Sequence, residues 1–271
     1  MESGARPNAP AVLLQIYERL FERFGPQHWW PADGPFEVIV GAILTQCVSW
    51  NNVATAIGNL RRAGLMDPRR LMEADEGTIA SLVRPAGYYR QKAKKIRAFL
   101  SYLWGRHGGD LASMFATPPD ELRSELLAVW GLGPETVDSI MLYAGGIASF
   151  VVDAYTSRIM SRIGVVPAGT PYDRVRRMFM DGLPRDAALF NEYHALLVTL
   201  GKRACLKTRP RCGECPLSDI CGRIGVPRDG DDHSLGAAGR EESAEQATAG
   251  TRRGLREKRA KKESRGAVPF A

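Results

Sequence analysis

Four cysteines near the C-terminal third of the chain offer the first recognisable chemistry. Cys205, Cys212, Cys215 and Cys221 fall within seventeen residues, with six, two and five residues between them. Thiolates so close in sequence can converge on one metal centre, and the interleaved Pro210, Gly213 and Pro216 suit a loop wrapped around it. Many structural zinc sites use two close cysteine pairs. This run has one close pair, which fits an iron–sulfur cluster better, with a zinc site or free thiols as the alternatives. A second feature is Gly131-Leu132-Gly133-Pro134-Glu135. Two glycines let a backbone turn sharply and approach another molecule, and proline tolerates a first helical position. The free N–H groups of such a helix start attract phosphate, although a plain helix–helix connection has the same text. Twenty residues after Gly133 comes Asp153, framed by Val151, Val152 and Ala154. It is either a functional carboxylate or a helix cap.

The elements that must position these groups read as helices throughout. Ala11–Phe24 repeats apolar residues at three- and four-residue spacing. Phe36–Leu44, a segment bearing Val53, Ile57 and Leu60, and Leu71–Val83 read the same way, with a short turn at Leu111–Phe115. After Asp153, helices are expected at Thr156–Ile163, Pro171–Met180 and Ala187–Leu200. No stretch alternates as a strand would, so the fold class is all-α. Between the first helices lie Trp29 and Trp30, which either plug a seam or offer a face to a planar ligand. Thr45-Gln46-Cys47 and Trp50 crowd the end of the next helix, where Cys47 reads as buried or pocket-lining. Gly87 opens a basic helix with Lys92, Lys94, Lys95 and Arg97. That run is a solvated face or, with its glycine, a phosphate contact.

Composition sets wide bounds. The chain has 271 residues, 44% hydrophobic and 25% charged, enough for a sizeable core. Its formal net charge of +7 favours a polyanionic partner. No apolar run is long enough to span a membrane and MESGARPNAP lacks a signal-peptide pattern, so a cytoplasmic, nucleoid-associated protein with no membrane partner is expected. Residues 1–10 and 228–271 read as disordered. The basic stretch Arg252–Arg265 either adds affinity for nucleic acid or is a solubilising tail.

Together, Gly131-Leu132-Gly133, Asp153 and the C-x6-C-x2-C-x5-C run resemble the endonuclease III superfamily of DNA glycosylases, over roughly Val12–Val226. The resemblance implies two helical lobes with a DNA-binding cleft between them. One lobe would be discontinuous (11–35 with 136–204), the other a bundle at 36–135, with the helix–hairpin–helix at 126–144 and a 4Fe-4S loop at 205–227. Gly131, Gly133, Gly87 and Lys92 would contact the DNA backbone, as would Lys207, Arg209 and Arg211 on the cluster loop. The four cysteines would hold a structural 4Fe-4S cluster. A monomer would act on double-stranded DNA, flipping a damaged base into the cleft. Gln46 would fill the gap left in the duplex.

One departure directs the chemistry. Family members that also cleave the strand carry a lysine two residues past the second hairpin glycine, and this chain has Glu135 there. A carboxylate forms no Schiff base, so hydrolysis of the glycosidic bond alone is expected, with Asp153 stabilising the sugar cation and orienting or deprotonating water. Thr45-Gln46, Trp50, Asn52-Val53, Arg84-Pro85, Gly87 and Thr136 resemble more narrowly a subgroup associated with alkylated purines such as 3-methyladenine. Trp29, Trp30, Trp50, Gln46, Glu135 and Lys202 would form the base pocket, with aromatic faces attracting a cationic base. Cys47 stands where asparagine is frequent. Lys202 reads as a phosphate or solvent contact, or as a displaced Schiff-base amine. Alternatives are a glycosylase/lyase for oxidised pyrimidines, a mismatch glycosylase, and a noncatalytic DNA-binding relative.

Overall fold

The computed structural model describes residues 9–226. The expected disordered tail at 228–271 lies outside them, as does all of the N-terminal segment except Ala9 and Pro10. Helix α1, Ala9–Phe24, starts two residues before the expected position, with Pro10 in the first turn, where the missing N–H costs nothing. The other helices are α2 (Pro35–Leu44), α3 (Trp50–Arg62), α4 (Pro68–Glu73), α5 (Glu76–Leu82), α6 (Tyr89–His107), α7 (Leu111–Phe115), α8 (Pro119–Ala128), α9 (Pro134–Ser139), α10 (Ala154–Ile163), α11 (Tyr172–Gly182) and α12 (Ala187–Arg203). Among the described residues there is no strand, as the all-α reading requires.

The single helix expected over Leu71–Val83 is two helices. Asp67 caps α4 by accepting from the Arg70 N–H, and Asp75 caps α5 by accepting from the Thr78 N–H. A second cap inside the apolar repeat restarts the helix, because its oxygen satisfies an otherwise orphaned donor. The hairpin has its own punctuation. Gly131 has φ 85°, and a side chain there would strike Lys95. Helix α9 widens at once into a π turn over Ile140–Ala144, which places Tyr143 toward the later helices.

Apolar side chains gather in two cores. The first runs from Phe36 to Met141 and includes Ile39, Phe99, Leu126 and Val137. The second joins Leu13, Ile16 and Leu20 of α1 to Leu142, Phe150, Phe179, Phe190 and Tyr193. Phe150 and Phe179 stack at 3.8 Å, and the Tyr193 hydroxyl donates to the Leu13 carbonyl at 2.8 Å. The chain passes between cores at Met141–Leu142, inside the π turn.

Candidate active site

A cleft of about 1420 Å³ is lined from both cores. It collects Trp29, Trp30, Gln46, Trp50, Lys92, Gly131, Gly133, Glu135, Asp153 and Lys202. Gly87 is not in its lining, but its neighbour Tyr88 is.

The aromatic floor is local packing first. Trp30 meets Trp50 edge-on at 5.2 Å and Trp29 at 5.9 Å, and it also lies 5.2 Å from Tyr143. Gly41 of α2 lets it in, since a side chain there would press on the indole at 3.3 Å. The two tryptophans therefore both plug a seam and face the cleft. Lys202 at the end of α12 holds its ammonium 5.6 Å from the Trp29 ring centre.

At the hairpin, the Gln46 amide donates to Thr136 Oγ1 at 2.8 Å and to the Gly131 carbonyl at 3.2 Å, while its oxygen accepts from Lys95. This tethers the end of α2 to the turn. Gly87 has φ 63° and ψ 161°, a conformation essentially reserved for glycine. Gly133 lies at an ordinary φ of −92° with open space where a side chain would project. Nothing inside the protein requires glycine there.

Lys92 is a correction. It was expected to contact phosphate, but it is 2% exposed, and its ammonium donates to the carbonyls of Leu44 and Ala86 at 2.7 and 2.6 Å. Burial lowers its pKa to about 8. The side chain ties the end of α2 to the turn before α6 and is not available as a surface cation.

Asp153 is the N-cap of α10 and accepts from the Thr156 N–H at 2.7 Å. Its other oxygen lies 3.6 Å from His194 Nε2 on α12. Burial alone would raise its pKa, but His194 and the Thr156 donors outweigh burial and hold the carboxyl below its usual range. Glu135, in the first turn of α9, opens onto the same cleft. Enclosure by the surrounding protein and the charge of Asp153 push its carboxyl up, with His194 opposing. The two carboxylates thus have opposite tendencies within one site, the usual mark of divided acid–base roles.

His194 and Tyr143 escaped the sequence reading. The Tyr143 hydroxyl sits 2.5 Å from His194 Nδ1. Enclosure pushes the phenol well above its usual range, so it stays protonated. Only the shared apolar frame of α12 hinted at a buried histidine.

Cys205, Cys212, Cys215 and Cys221 line one small cavity away from the cleft. Among the described residues no three Cys, His, Asp or Glu side chains stand close enough to share a single ion. Two of the sulfurs accept hydrogen bonds, as thiolates bound to a metal or cluster do: Arg162 donates to Cys205 Sγ at 3.4 Å, and the Arg223 N–H to Cys221 Sγ at 3.4 Å. Burial and the neighbouring cysteines raise the thiol pKa values of Cys215 and Cys221, a repulsion that a bound cationic centre would relieve.

With this geometry in place, the relatives are informative. Residues 40–185 match the profile of the HhH-GPD superfamily base excision DNA repair protein. The chain belongs to this superfamily. A Methanocaldococcus jannaschii protein provisionally named a DNA repair glycosylase is 41% identical over 218 residues, covering 80% of this chain and 98% of its own. Endonuclease III of Thermotoga maritima is 28% identical over 210 residues, covering 78% and 92%. Helicobacter pylori 3-methyladenine DNA glycosylase, solved with 1,N6-ethenoadenine, shares the fold at TM-score 0.63 and 23% identity, over 72% of this chain and 98% of that one. A trapped endonuclease III–DNA covalent intermediate shares it at TM-score 0.68 and 21% identity, over 78% and 95%. The protein is a DNA repair glycosylase of the HhH-GPD family. Among the described residues no helix is long and apolar enough to cross a membrane.

Proposed function

We propose that this glycosylase removes alkylated purines from double-stranded DNA by hydrolysis alone. The observation that carries the reading is the company Asp153 keeps. Its partners are His194 and the Thr156 N–H, with Glu135 on the opposing helix. The lysines that line the cleft are engaged elsewhere: Lys92 with two carbonyls, Lys95 with Gln46, and Lys202 over Trp29. No amine is paired with the carboxylate, and the position past the hairpin carries Glu135.

An alkylated purine is cationic, so its glycosidic bond leaves with little acid help. Trp29, Trp30 and Trp50 offer electron-rich faces to such a base. Asp153, ionised and low in pKa, would stabilise the sugar cation and take up the proton of the attacking water. Gly131 and Gly133 leave their backbone N–H groups open to phosphates, whereas the Gly87 N–H already donates to the Arg84 carbonyl at 3.1 Å, and the vacant space at Gly133 suits close approach of a backbone. Gln46 would enter the duplex only by releasing Thr136. The cysteine loop would hold a 4Fe-4S cluster, which supplies structure at a distance from the chemistry.

The test is incubation with methylated duplex DNA and with a thymine-glycol duplex, each with and without borohydride. Free 3-methyladenine without a trapped adduct is expected. Asp153→Asn should lower base release at least about a hundredfold with DNA binding kept, because asparagine caps α10 as well as aspartate does. A borohydride adduct on thymine glycol, abolished by Lys202→Met, would instead establish the lyase reading.

A further inference from the structure

One buried polar side chain of the cleft lies on α12, outside both the tryptophans and the hairpin. His194 is 6% exposed, on the face of α12 that lies against the start of α10. Its Nδ1 is engaged by the Tyr143 hydroxyl at 2.5 Å. Its Nε2 is buried without a hydrogen-bond partner and lies 3.6 Å from Asp153 Oδ2. A histidine serving only to pack would have both nitrogens satisfied, since buried polar groups rarely go unpaired. Here the one unpaired nitrogen faces the carboxylate that the proposed reaction depends on.

We propose that Tyr143 and His194 form a positioning pair that fixes the orientation and charge of Asp153 through a single imidazole tautomer. The inference rests on the reading of Asp153 given above. Tyr143 stays a phenol and donates its proton to Nδ1. The imidazole must then carry its own proton on Nε2, directed at Oδ2. The Thr156 N–H occupies Oδ1. Asp153 is thereby held by one donor on each oxygen, from two different helices, and its remaining lone pairs face the cleft. The 3.6 Å separation is longer than a hydrogen bond, and such contacts commonly tighten once substrate is bound. Neither residue transfers a proton in this scheme. The water's proton goes to Asp153, and the leaving base departs neutral because it began as a cation.

Other ionisable groups face the same space and bear on any pH profile. Glu135 approaches from α9, and the charge of Asp153 acts on it. Tyr172 from α11 reaches the Val152 N–H at 3.4 Å, one residue from Asp153. Lys202 lies two turns along α12 from His194, over Trp29. Of these, Glu135 is the carboxylate, and enclosure and the charge of Asp153 push its pKa up.

The experiment is single-turnover base release from methylated duplex DNA as a function of pH. It compares the full-length wild type with His194→Leu, His194→Gln, Tyr143→Phe and Asp153→Asn, and repeats the series with Glu135→Gln present so that Glu135 adds nothing to the acid limb. Expected for His194→Leu is a plateau about ten- to a hundredfold lower and an acid limb moved to higher pH, because Asp153 has lost a donor. His194→Gln, whose amide nitrogen reaches about as far as Nε2, should return most of the rate and the wild-type limb. Tyr143→Phe should move the limb the same way by less, since the tautomer is no longer fixed. A merely structural histidine would lower yield or melting temperature and leave the limb in place. If His194→Leu does not fold, Tyr143→Phe and His194→Gln decide. A wild-type profile for Tyr143→Phe, or a glutamine variant no better than leucine, overturns the pair. Should Asp153→Asn retain full activity, the reading of Asp153 itself fails. If Asp153→Asn is inactive and His194→Leu unshifted, only the positioning pair fails.

Discussion

Glu135 shows how a single side chain trades stability for chemistry. Its carboxyl is pushed above the usual range by enclosure and by Asp153. An unfolded chain has no such constraint and titrates near about 4.3. The folded state therefore holds its proton more tightly. Below the unfolded value both states are protonated and the residue is neutral in its effect. As pH rises through the unfolded value and then the folded one, ionisation favours the unfolded state. Glu135→Gln should accordingly raise the melting temperature at neutral pH by about 1–2 °C, a small gain for a carboxylate open to the cleft, and have no such effect near pH 4. A scanning calorimetry series across pH 4–8 checks it, and a gain that persists at pH 4 would contradict the electrostatic account. At this scale Glu135, Asp153 and the tryptophans were legible because each stood in a local pattern. His194 and Tyr143 were not: they are 51 residues apart, and nothing near either one announces the other.

Among the elements, the cysteine loop is the least self-sufficient. Between Cys205 and Cys221 its only regular structure is a three-residue turn at Cys212–Glu214, and among its side chains Leu217 is the one fully buried in the core. With the proposed cluster in place, a loop with so little apolar burial would depend on what its thiolates hold. Cys212→Ser should reduce bound iron and visible absorbance in the purified protein. It should also open the segment near Arg209–Arg211 to trypsin, while far-ultraviolet helicity falls only slightly. Unchanged iron content would remove Cys212 from the ligand set. The grouping of the four cysteines was legible through spacing, which is a property of the chain itself, and they line one cavity. The break between α4 and α5 was also written locally, in Asp75 and Thr78, but the continuing apolar repeat masked it. Lys92 was misread for a different reason. A run of lysines does not say which member turns inward, and only the carbonyls at the ends of neighbouring elements claimed this one.

Across the whole molecule, the two cores are joined by Asp138. It is fully buried and accepts from Arg123 of α8 at 2.9 and 3.0 Å, from Arg176 of α11 at 3.1 Å, from Ser149 at 2.5 Å and from Tyr172 at 2.8 Å. Arg123 and α8 belong to the first core, Arg176 and Tyr172 to the second. Tyr172 also reaches the Val152 N–H beside Asp153, so the same carboxylate holds the cleft walls in register. Removing the charge leaves two arginines facing a buried neutral group, a situation that costs about 3–5 kcal/mol. Asp138→Asn should lose stability on that scale in urea denaturation, with base release falling as the walls loosen. A loss below about 1 kcal/mol would mean that the network is not what couples the cores.

The bond from Tyr193 to Leu13 spans 180 residues of sequence. During synthesis, at about 5–20 residues per second, α1 emerges roughly ten to forty seconds before the helix that covers it. The apolar stripe of Leu13, Ile16 and Leu20 must wait through that interval while the Phe36–Met141 core assembles behind it. Helix α1 is thus made well before it finds its place, and during translation a chaperone has that whole interval in which to hold it.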